Sequence, residues 1–245
     1  METLLFLSVG VLGGAVNAAA GGAKLFVFPM LVASGIPPIS ANATATVALW
    51  PAQLPAAWVY RTELKDGLSR LMLRLLPALL GGLLGALTLI SSSEEAFLAV
   101  VPALLILAVT AIALGPRSAD LLRKVFAGRG LSIITAILLF ACGFYGGYFG
   151  AGLGFMLLAV LSVSDALTLS RVNGAKNVIA AAINTIAVIP LSVSGLVDWH
   201  AAGAVLLGGL MGGYVGATMT RRAPERPMRI AVSVLGLILA ISFLV

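Results

Sequence analysis

The stretch "GFYGGYFGAGLGF", Gly143 to Phe155, places six glycines in thirteen residues inside a strongly apolar region. Glycine in a helix interior costs roughly 1 kcal/mol relative to alanine. Such density therefore marks a point where the chain gives up regular helix for close approach of its backbone. Working outward, 60% of the 245 residues are hydrophobic and 10% are charged, against about a quarter charged in a soluble domain. The chain reads as an all-α polytopic membrane protein.

Apolar runs near the roughly 20 residues that a spanning helix needs occur at Leu4–Ala20, Ala41–Tyr60, Leu71–Ile90, Ala96–Leu114, Leu131–Phe149, Val172–Val193, Ala201–Thr220 and Met228–Val245. Two runs are shorter, Leu25–Ala33 and Leu153–Val163, and each follows a glycine cluster. The expectation is about eight spanning helices plus two short broken or re-entrant helices. The start "LLFLSVGVLGGAVNAAA" resembles a signal peptide but lacks a basic residue before it, and is read as a retained span. Pro29, Pro51, Pro55 and Pro190 are candidate breaks or kinks.

Thirteen of the 15 Lys and Arg residues cluster around four connections, near Arg61–Arg74, Arg117–Arg129, Arg171 and Arg221–Arg229. The intervening connections hold only Glu94, Glu95 and Asp198. Basic loops face the cytoplasm, so Met1 is expected outside, and the chain in the inner (plasma) membrane. The hairpin before the loop "SGIPPIS" (34–40) then starts and ends outside, whereas that at Leu131–Ser170 starts and ends inside. The two halves are also related in sequence: "GGAVNAAAGGAK" onward lines up with "GGYFGAGLGF" onward, setting Asn42 on Asn173 and Gly21 on Gly152, and "GGLLGALT" matches "GGYVGATMT". Two inverted-topology repeats follow, residues 1–115 and 131–245, joined by a cytoplasmic linker at 116–130.

Two cations remain, Lys24 and Lys176, both beside or within apolar segments, while all nine acids fall in loops or at ends. An unpaired intramembrane lysine is costly and marks a site or pathway. A broken helix supplies free N–H groups at the positive end of its dipole, and such backbone persists in a membrane only where it lines a cavity. An anion cradle is expected from Lys24, Lys176, Gly22, Gly152 and Gly154. Asn173, Asn177 and Asn184 follow helical spacing around Lys176, and Asn42, Thr44 and Thr46 occupy matching places in the first half. Small-residue helix packing accounts for other glycines, such as those of "GGLMGGYVGA".

"GFYGGYFGAGLGFML" (143–157), "RVNGAKNVIAAAIN" (171–184), "SGLVDWHAA" (194–202) and "AGGAKLFVFPMLVASGIPPISANATATVALWPAQLPAAW" (20–58) together resemble the sulfite exporter TauE/SafE family, the toluene sulfonate uptake permeases, over nearly the whole chain. The first-half motif is the looser match, because Lys24 stands where family members often carry Ser or Leu. The resemblance implies secondary transport of a sulfur-containing oxyanion, an organosulfonate such as sulfoacetate or sulfite itself. The alternatives are an anion channel or a carrier for another small organic anion.

An enzyme is not expected, since neither an HExxH motif, nor a Ser/His/Asp set, nor an intramembrane acid is present. Cys142 is the only cysteine, so neither an intrachain disulfide nor a cysteine metal site is available, and no cofactor is expected. The net charge of +6 lies in the loops, without the basic and aromatic interleaving of a nucleic-acid binder. The expected partners are a small anionic substrate and the lipid bilayer, with a homodimer as a candidate assembly.

Overall fold

A computed structural model describes residues 2–20, 22–53, 68–114, 131–164 and 169–220, with residues 230, 233–234, 236–238 and 241 near the C-terminus. The described residues form helices α1 (Glu2–Ala20), α2 (Ala23–Ala33), α3 (Pro38–Leu49), α4 (Leu68–Ser91), α5 (Glu94–Leu114), α6 (Leu131–Tyr148), α7 (Leu153–Ser164), α8 (Leu169–Val193) and α9 (Trp199–Thr220), with a 3-10 turn at Pro51–Gln53. Among the described residues, stretches within α4 (Arg74–Ser91), α5 (Glu94–Leu114) and α8 (Gly174–Val193) are long and apolar enough to cross a bilayer. The linker 116–130, Gly21, and the loop carrying Pro55, Trp58, Tyr60, Arg61 and Lys65 lie outside the described residues.

The run expected to span from Ala41 to Tyr60 begins earlier and stops sooner. Proline at the start of α3 suits a first turn whose N–H has no helical partner. The helix then ends at Leu49, and the chain tightens through the 3-10 turn at Pro51, which has no N–H to continue the ladder. Pro29 and Pro190, in contrast, sit inside helices that continue through them.

Along much of α4 large side chains face outward and small ones inward. On α4, Leu76, Leu80, Leu84 and Leu87 are exposed while Ala78 and Ala86 are fully buried. Lipid solvates leucine as well as a protein core does, so helices gain by bringing backbones together. Two seams do so. Gly10 and Gly14 of α1 lie against the carbonyls of Val205 and Gly209, and Gly208 and Gly212 of α9 against those of Leu7 and Val11. Gly143 and Gly147 of α6 lie against the carbonyls of Ala78 and Gly82, and Gly81 and Gly85 of α4 against those of Phe140 and Phe144. A Cβ at any of these eight positions would overlap backbone.

The two seams share one pattern. In both, numbers rise together along the two helices, so α1 runs parallel to α9, and α6 to α4. Each seam joins the first helix of one half to the fourth of the other. The pairing equates "GGLLG" (81–85) with "GGLMG" (208–212), one turn away from the match with "GGYVG" that the sequence suggested.

One face of the bundle is fixed by polar contacts. Glu94 at the start of α5 accepts from the Ile39 N–H at 3.1 Å, placing a carboxylate on the N-terminus of α3. Thr3 and His200, at the starts of α1 and α9, are hydrogen-bonded at 2.9 Å. The Asp198 N–H donates to Thr44 on α3 at 2.9 Å. His200 also stacks edge-on against Phe6, an interfacial setting. This side is called the Glu94 face below; α3 leaves it, and α8 climbs toward it from the opposite side.

Candidate functional site

The second glycine cluster makes a sharp turn between α6 and α7. Gly150 and Gly152 have φ of +81° and +71°, a region that side chains with a Cβ rarely enter. A Cβ on Gly152 would also press on Ala108 of α5. The Tyr145 hydroxyl holds the turn by donating to the Ala151 carbonyl at 2.6 Å. The Asn42 side chain donates to the Tyr148 carbonyl at 2.8 Å, satisfying an orphan acceptor at the end of α6. The N–H groups of Ala151 and Gly152 have no partner among the described residues.

The first break faces this turn. α2 starts at Ala23 behind Gly22, without a side-chain cap. Lys24, 8% exposed, donates to the Thr46 hydroxyl at 2.5 Å. Its ammonium also lies 5.7 Å from the ring centroid of Phe149, within cation–π range. Phe149 is itself wedged edge-on against Phe28. Among the described residues no carboxylate pairs with Lys24.

Between the breaks lies a small cavity of about 60 Å³, room for a few waters or one small oxyanion. α2 contributes Ala23 and Lys24 to its wall, α3 contributes Ala45, Thr46 and Leu49, and the turn contributes Gly150 and Gly152. Gln53 and Asn184 close it; Asn184 donates to the Gln53 side-chain oxygen at 2.9 Å, which leaves the Gln53 amide hydrogens free among the described residues. Two helix N-termini and one ammonium thus meet at a space whose wall holds no acid among the described residues. That electrostatic arrangement suits an anion.

Of the expected site residues, the cavity brings together Lys24, Gly152, Thr46 and Asn184. Gly22 is buried behind the α2 start and outside the lining. Asn42 and Thr44 are fully buried and engaged with Tyr148 and Asp198. Gly154, Lys176 and Asn177 stand outside the lining, on α7 and α8. Asn173 is on α8, and its side chain lies outside the described residues, as does that of Asn17. Gln53 is the residue that sequence reasoning missed. Its signal is the register that sets Asn42 on Asn173, which also sets Gln53 on Asn184, its bonded partner here.

The family profile described as sulfite exporter TauE/SafE matches residues 6–243. The chain belongs to the TauE/SafE family. This TauE/SafE protein is 24% identical over 234 residues to a "Probable membrane transporter protein" of Haemophilus influenzae, covering 94% of this chain and 90% of that protein. It is 25% identical over 230 residues to the "Probable membrane transporter protein YfcA" of Escherichia coli K12, covering 92% of this chain and 84% of that protein. No solved structure matches it. The TauE/SafE chain is thus a membrane protein of a transporter family, and the motif-based expectation of the family holds.

Proposed function

We propose that this TauE/SafE protein is a secondary transporter, in the inner membrane, for a small sulfur oxyanion, sulfite or a short sulfonate such as sulfoacetate. The carrying observation is the cavity, without an acid among its described lining residues, at which Lys24 and the starts of α2 and α7 converge. A buried ammonium without a carboxylate needs a counterion, and a bound anion supplies one. The free Gln53 amide adds a neutral donor. At about 60 Å³ the space favours sulfite or a short sulfonate over an aromatic one. The two seams and the facing breaks support a pair of inverted halves closing on the anion from both sides, as in other secondary carriers.

A thermal-shift series on the purified protein with sulfite, sulfate, taurine, sulfoacetate and toluene sulfonate tests this reading. Sulfite or sulfoacetate at about 100 times its Kd stabilises by about 2.7 kcal/mol, and Lys24→Gln removes that gain. No shift with any of these anions, or an undiminished shift in Lys24→Gln, overturns it.

A further inference from the structure

The cavity at Lys24 has a counterpart across the Gln53–Asn184 hydrogen bond, and we infer that this counterpart, built from Gly154, Lys176 and Asn177, is a second anion subsite. The inference rests on the anion reading above. The register that sets Asn42 on Asn173 also sets Ala23 on Gly154, Ala45 on Lys176, Thr46 on Asn177 and Gln53 on Asn184. The first member of each pair lines the cavity. Two of the second members meet in space: a Cβ on Gly154 would lie 4.0 Å from Cδ of Lys176 and near nothing else.

Lys176 and Asn177 are half-buried, and neither has a hydrogen-bond or ion-pair partner among the described residues. The Lys176 side chain therefore runs past the bare surface of Gly154 in the first turn of α7. The symmetry is broken in one informative respect. Lys24 falls on Phe155 and Lys176 on Ala45, so each half-site keeps a single ammonium, drawn from the short helix in one and the long helix in the other.

The axis between them is the contact of α3 with α8. Trp50 donates to Thr185 and Asn184 to Gln53, so the two segments cross antiparallel. Thr46 precedes Gln53 by seven residues and Asn177 precedes Asn184 by seven, the latter about 10 Å along α8. The Lys24 subsite lies toward the Glu94 face and the Lys176 subsite toward the opposite face. An anion leaving one ammonium for the other crosses the Gln53–Asn184 pair.

Labelled-sulfite exchange in proteoliposomes of known insertion orientation, with KM measured separately on each face, tests this. Lys176→Gln should raise KM about tenfold on the face where α8 begins, as expected on losing a charge-assisted contact. KM on the Glu94 face and the sulfite-induced rise in Tm should stay as in the wild type, and Lys176→Arg should restore part of the loss. Wild-type KM on both faces of Lys176→Gln overturns the second subsite alone. So does an equal loss on both faces with loss of the Tm rise, since Lys176 then serves the Lys24 site or the fold. A wild-type protein without sulfite-dependent Tm rise or exchange overturns the anion reading and this inference with it.

Discussion

Lys24 combines near-complete burial with a single neutral hydrogen-bond partner among the described residues, an arrangement that costs stability in the absence of an anion. Lys24→Gln is therefore expected to keep or slightly raise the Tm of the anion-free protein while losing the sulfite response; thermal unfolding with and without sulfite reads both. Thr46→Val leaves the ammonium without its acceptor and removes a hydroxyl that also donates to the Asn42 carbonyl. Its expected cost is about 1–3 kcal/mol, seen as a lower Tm. The lysine was legible in sequence because no nearby acid could balance it. Gln53 was not, because one amide between the two prolines of "PAQLP" in an apolar run shows no role until a partner is placed against it. Asn42 and Thr44 carried a real polar signal, but the Asn42 amide nitrogen and the Thr44 hydroxyl are engaged with Tyr148 and Asp198, and the buried Asn42 Oδ1 has no partner among the described residues.

Helix pairing explains most of the glycines outside the breaks. At Gly14 and Gly147 the facing atoms are backbone, so alanine forces the helices apart across the whole seam. Each such variant is expected to lose about 2 kcal/mol or more and to yield less folded protein by size-exclusion chromatography. Gly203→Ala, with nothing near its Cβ position, should be neutral or gain up to about 1 kcal/mol from helix propensity. Equal behaviour of Gly14→Ala and Gly203→Ala would contradict the seam. The glycine clusters were legible as places of close backbone approach, but the register of the facing glycines in α4 and α9 was not. Small residues recurring every three or four positions make a one-turn slip nearly invisible in sequence, and only the facing carbonyls of Leu7, Val11, Phe140 and Phe144 fix it. The end of α3 was legible only as a proline break, since the apolar run continues past Pro51 while the helix does not.

For the whole molecule, parallel seams tie the starts of α1 and α9 to one side and those of α4 and α6 to the other, the arrangement that the loop charges independently require. A cysteine placed at Ser92, on the Glu94 face, should react with an impermeant maleimide added outside intact cells. The buried Cys142 should remain unlabelled. The central claim is that one sulfur oxyanion at a time is bound at Lys24 and carried across. Counterflow in proteoliposomes tests it most directly: vesicles preloaded with unlabelled sulfite are diluted into trace labelled sulfite. The account predicts transient accumulation of label above equilibrium by the wild type and none by Lys24→Gln. Label that only equilibrates in the wild type, or an overshoot that survives in Lys24→Gln, would contradict it.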